Sequence, residues 1–149
     1  MDNMYATIDI LQEALLRKMG DEVELIFQYG SRIHGTPHKF SDVDISWVPA
    51  HETTWESITV IVDGILYDFY PIHWSHVERV VEFSDVSSSV LLNHRILYQR
   101  TNAAGERLAT LATRLRALQH PEARPEMLRR AIQHLRHTCR VTNSPRSTC

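Results

Sequence analysis

The sequence predicts an α+β chain, with its strands gathered in the first half and helices at the start and the end. Three observations carry this. Ile8, Leu11, Leu15 and Leu16 recur at helical spacing near the start. Val43, Ile45 and Trp47 alternate with Asp42, Asp44 and Ser46, which is the period of a strand. Leu108, Leu111, Leu115 and Leu118 form a single stripe on a later helix.

The elements follow in order. A helix is expected over Thr7–Met19, with Thr7 as a cap and Gly20 as its stop. Glu22–Tyr29 reads as a strand, because Leu25-Ile26-Phe27-Gln28-Tyr29 is a short apolar and aromatic run. Gly30–Gly35 reads as a turn leading into a short helix, with Ser31 suited to cap it. Asp42–Val48 is the next strand. Ile58–Val62 and Ile65–Tyr70 flank Asp63-Gly64, a strong hairpin signal, and Pro71 ends the second arm.

Ser75, with Glu78 three residues on, predicts a capped helix over Ser75–Phe83. The stretch Val90–Tyr98 is mixed, and Ile96-Leu97-Tyr98 fits a short strand or a helix end. Ala103–Leu118 is a helix that Pro121 and Pro125 break, and Glu126 to Arg136 is helical again. The domain reading is a catalytic unit over 1–100, a C-terminal helical segment over 101–138, and a disordered tail over 139–149. That tail is polar and without periodicity.

Composition sets the bounds. The 149 residues suit one domain with a real core. No apolar run approaches the roughly 20 residues needed to cross a bilayer, and no secretory signal opens the chain. The only cysteines are Cys139 and Cys149, which do not make a disulfide framework, so a reducing cytoplasm is the default. Nine histidines are scattered. His34 with His38, and His73 with His76, lack a zinc pattern and read as surface or loop residues.

The net charge of −2 conceals a split. Residues 1–94 carry 5 Lys/Arg against 15 Asp/Glu, and residues 95–149 carry 11 against 3. The basic half reads as a solvated helix face or as a surface that docks on the acidic half. An acidic site fits metal ions and cationic acceptors better than polyanions, so nucleic acid is not an expected partner.

The chemistry lies in Gly30-Ser31-Arg32-Ile33-His34-Gly35, followed by Ser41-Asp42-Val43-Asp44. A glycine after a strand lets the backbone turn and approach a ligand. A helix N-terminus beside it attracts phosphate. Asp42 and Asp44 share one strand face, where like charges repel unless a cation or solvent relieves them. Mg²⁺ takes one or two carboxylates plus substrate phosphates. Asp68 is the third carboxylate: it shares a strand face with Leu66 and Tyr70, where an unpaired charge is costly. Asp63 belongs to the turn.

Gly30-Ser31, Gly35, Ser41-Asp42-Val43-Asp44 and the later strand aspartate together resemble the DNA polymerase β-type nucleotidyltransferase superfamily. The likeness is to its small bacterial members, the minimal and the aminoglycoside (kanamycin-type) nucleotidyltransferases. By motif it covers residues 22–72, and by general layout it reaches about residue 118. It implies a small mixed sheet flanked by helices, two Mg²⁺ ions, and transfer of a nucleoside monophosphate, taken as AMP from ATP, to a hydroxyl with release of pyrophosphate.

The roles it implies are specific. Gly30 and Ser31 hold the phosphates, with Arg32 and Lys39 as further phosphate contacts. Asp42 and Asp44 bind the metals. Asp68 binds the metal nearest the acceptor hydroxyl, or acts as its base. His34 departs from the small residue usual in the motif and has no assigned role. The acceptor is an aminoglycoside-like small molecule or a protein side chain, the latter fitting an antitoxin. A non-catalytic nucleotide- or partner-binding module is the alternative. The amphipathic last helices predict a homodimer or a helical partner protein.

Overall fold

The computed structural model describes residues 2–33, 41–82 and 89–141. The first helix, α1, spans Asp2–Met19, and a 3₁₀ turn over Gly20–Glu22 leads into strand β1, Val23–Tyr29. Strands β2 (Val43–Pro49), β3 (Ile58–Val62) and β4 (Ile65–Pro71) follow, then helices α2 (Trp74–Val81) and α3 (Ser89–Leu92). Strand β5 (Arg95–Gln99), helix α4 (Asn102–Ala117), a 3₁₀ turn over Pro121–Ala123 and helix α5 (Arg124–Val141) complete the order.

The five strands form one mixed sheet in the order β3-β4-β2-β1-β5. β2 and β4 are parallel, and every other pair is antiparallel. The α+β class read from the sequence is therefore the observed one, with helices on both faces.

Strand alternation divides the core in two. On one face Ile26, Val43, Ile45, Trp47, Tyr67 and Phe69 meet Ile8, Leu15 and Met19 of α1. On the other, Leu25, Phe27, Val48 and Ile72 meet Val77, Val80 and Val81 of α2, Leu91 of α3, and Leu108, Leu111 and Leu115 of α4. Each fully buried aliphatic side chain contributes about 1.5–3 kcal/mol. Helix α4 thus packs into the same core as the strands, across the predicted boundary at residue 100.

Several local expectations change. Helix α1 begins at Asp2, so Thr7 is a buried residue inside it and not its cap. Helix α2 begins at Trp74 after His73, with no side-chain cap, which places Ser75 inside the helix. The reason lies in tertiary contacts. The Trp74 indole donates to Glu24 at 2.6 Å and lies 4.4 Å from the Arg107 guanidinium, while Glu78 is paired with Arg107 at 2.6 Å. Glu78 is spent on α4 and not on a capping box. Helix α4 ends at Ala117, ahead of both prolines as expected, and α5 begins at Arg124 and not at Glu126, because Pro125 in a first turn needs no N–H partner. Helix α5 also runs three residues into the predicted tail, to Val141. Ile96-Leu97-Tyr98 is strand, as the edge partner of β1. Phe83 and residues 142–149, Cys149 included, lie outside the described residues.

Candidate active site

The site forms where β1 ends and β2 begins. Antiparallel pairing sets Tyr29, the last residue of β1, opposite Asp44. Gly30 follows with φ +87, a left-handed conformation that favours glycine. A Cβ there would collide with the Asp44 carboxylate, so glycine is what lets that side chain lie against the turn. The turn itself closes when the Ile33 amide donates to the Gly30 carbonyl at 3.1 Å. Ser31 sits in this turn, half-buried. The end of the expected short helix, His34 and Gly35, and the expected loop after it, with His38 and Lys39, lie outside the described residues.

Parallel pairing of β2 with β4 then sets Asp44 beside Asp68. Asp42 precedes β2 on the same alternating face and is exposed, whereas Asp44 and Asp68 are half-buried. Burial pushes the Asp44 carboxyl above the usual carboxylate range, and the charges of Asp42 and Asp68 push it the same way. This is an acidic site whose residents repel. A cation between Asp44 and Asp68 would relieve that repulsion, and hard carboxylate oxygens suit Mg²⁺. Among the described residues no three His, Cys, Asp or Glu side chains converge as a ready-made cage. Mg²⁺ requires less than that, since it completes its shell with phosphate oxygens and water.

Two residues not singled out from the sequence belong to this site. Tyr29 is hydrogen-bonded to the buried Ser46, and its phenol is pushed up by burial and by the charges of Asp44 and Asp68. Thr59, on β3, donates its hydroxyl to Asp68 Oδ1 at 2.9 Å. The hairpin contained the signal for it. A two-residue turn at Asp63-Gly64 forces Val62 opposite Ile65, and counting outward places Thr59 opposite Asp68.

Arg32 is already engaged. Its Nε and Nη2 donate to the Ser41 carbonyl at 2.8 and 2.5 Å, tying the two ends of the 33–41 connection together. The geometry thus brings Gly30, Asp44 and Asp68 together, with Asp42 at the rim and Arg32 as the brace of the loop. His73 lies elsewhere, its Nε2 3.0 Å from the Thr53 carbonyl, beside an acidic cleft lined by Glu22, Glu52 and Trp55.

No protein-family model matches the chain, and no curated protein matches it. Among solved structures it is similar to a nucleotidyltransferase-like protein from Exiguobacterium sibiricum, with 15% identity and a TM-score of 0.47 over 70% of this chain. The chain spans 38% of the length of that protein. It is also similar to a toxin–antitoxin with AMP-PNP (17% identity, TM-score 0.43, 80% of this chain and 94% of that one). A third likeness is to a mutant of the toxin–antitoxin MntA-HpeT, at 16% identity and TM-score 0.47, over 83% of this chain and 96% of that one.

Proposed function

We propose that this chain is a Mg²⁺-dependent nucleotidyltransferase that moves a nucleoside monophosphate, AMP from ATP, onto a hydroxyl acceptor. The observation that carries the reading is Asp44, which lies against the Gly30 turn with Asp68 beside it on the neighbouring strand. Paired carboxylates at the mouth of a glycine turn are what a metal–triphosphate complex requires.

Gly30 and Ser31 face the phosphates, with Lys39 as a further contact. Asp42, Asp44 and Asp68 would hold the metal. Mg²⁺ bound there supplies charge neutralisation to the triphosphate during in-line displacement. The acceptor oxygen forms a bond to the α-phosphorus, and the bond from that phosphorus to the bridging oxygen of pyrophosphate breaks. The hydroxyl proton passes to Asp68 or to solvent. Most of the rate enhancement then comes from positioning and charge, not from covalent chemistry by the protein.

The acceptor is a hydroxyl on a small aminoglycoside-like molecule or on a protein side chain. An open shelf beside Asp68 supports the protein, as in an antitoxin that modifies its partner. Ile61 and Tyr70 share the Asp68 face, and they are 71% and 44% exposed. Exposed Leu128, Ile132 and Leu135 on α5 make a second apolar stripe, which supports a homodimer or a helical partner. No helix among the described residues is long and apolar enough to cross a membrane.

The test is transfer of label from α-phosphate-labelled ATP with Mg²⁺, against an aminoglycoside panel and a lysate, with an Asp42→Ala/Asp44→Ala control. Label on a sugar or a protein band that disappears in the control establishes the reaction. ATP binding without transfer to any acceptor overturns it in favour of a binding module.

A further inference from the structure

We infer that Thr59 is the positioning residue for Asp68. The inference rests on the reading of Asp68 as a metal-site carboxylate. On that reading Asp68 must hold a defined orientation on the half of a sheet face that α2 and α4 do not cover. A lone carboxylate on such a strand samples several rotamers, and every one left behind on binding is lost entropy.

Thr59 supplies the missing constraint. Its hydroxyl donates to Oδ1 at 2.9 Å, which leaves Oδ2 outside this hydrogen bond. A β-branched side chain on a strand is stiff at χ1, so the donor is itself fixed. The hairpin fixes the strand that carries it. Asp63 and Gly64 both adopt positive φ, +50 and +76, as the tight two-residue turn demands, and the pairing runs without a break from Val62–Ile65 to Ile58–Phe69. A slip of one residue would carry Thr59 to the opposite face. The edge hairpin is thus an arm that reaches across to set one ligand of the site. A hydrogen bond to a metal-binding carboxylate of this type typically changes metal affinity by about 10–100-fold.

The test is Mn²⁺ binding, followed by electron paramagnetic resonance, in the full chain with α,β-methylene ATP. Thr59→Val removes the donor and keeps the shape, and valine is a strong strand former, so the hairpin is retained. The expected result is Mn²⁺ affinity about 10–100-fold weaker in Thr59→Val. Thr59→Ser should recover it to within a few-fold, since it restores the hydroxyl. In an Asp68→Asn background the same Thr59→Val change should have no further effect. Wild-type Mn²⁺ affinity in Thr59→Val, alongside loss in Asp44→Asn, overturns the role of Thr59 and leaves the nucleotidyltransferase reading standing. Equal loss in Thr59→Val and Thr59→Ser also overturns it, because the hydroxyl is then not the cause. Failure of the unmodified chain to bind Mn²⁺ overturns both.

Discussion

On the site face of the sheet, β1 and β2 differ sharply from β4 and β3. The first pair turns Leu25, Phe27 and Val48 toward α2 and α4, and none of the three has any exposure. The second pair turns Thr59, Ile61 and Tyr70 to solvent on the same face. Asp44 and Asp68 lie on either side of this seam. One sheet face is thus half core and half platform. The covered half carries the close approach of Gly30 to Asp44, and the open half leaves the surface beside Asp68 exposed.

The largest effects should come from the covered half. Phe27→Ala is expected to lower stability by about 3–5 kcal/mol, read as a shift of the urea midpoint. Ile61→Ala, on the open half, should stay within about 0.5 kcal/mol. A comparable loss from both would mean that the platform is buried against another element, and the contrast would fail.

Gly30→Ala comes next. Forcing a side chain into φ +87 and against Asp44 is expected to cost about 1–3 kcal/mol and to abolish nucleotide transfer. Retained transfer would show that the Gly30–Asp44 contact is dispensable.

Asp44→Asn sharpens the seam in the opposite sense. The folded state holds the Asp44 proton more tightly than the unfolded chain does, because burial and the neighbouring carboxylates disfavour its charge. The folded chain therefore binds more protons between the two values, and stability falls as pH rises from 3.8 through the folded-state pKa. Above that window the full penalty remains. The neutral amide removes it, so metal-free Asp44→Asn should melt slightly higher than the unmodified chain at pH 7 while transferring no label. A lower melting temperature would mean that the carboxylate is satisfied without a cation.

The smallest effect is expected far from the seam. On α5, Glu126 is held down to about 2 by hydrogen bonds from Arg129 and Arg130. Its contribution is present above pH 4.5 and fades as pH falls toward the folded value. The group is open to solvent, and exposed ion pairs contribute little. Glu126→Gln should leave the melting temperature unchanged at physiological salt.

What is legible in the sequence follows from the range of the forces involved. The Asp63-Gly64 hairpin, the alternation that aligns Asp42 with Asp44, and the α4 stripe at Leu108, Leu111 and Leu115 are local patterns, and the structure contains them. Local signals misplace the start of α2, because Trp74 is anchored by Glu24, fifty residues earlier in the chain. From the sequence, Arg32 reads as a further phosphate contact. Only the folded chain shows it bound to the Ser41 carbonyl.

The strand faces that Asp42, Asp44 and Asp68 occupy are legible in the sequence by itself, since strand period and turn chemistry act over a few residues. Tertiary structure alone decided that Asp68 stands beside Asp44. That contact requires β2 and β4 to pair in parallel across an intervening hairpin. The pairing closes a long loop, and no local preference encodes it. It is fixed when the apolar residues of both strands are buried together against α1.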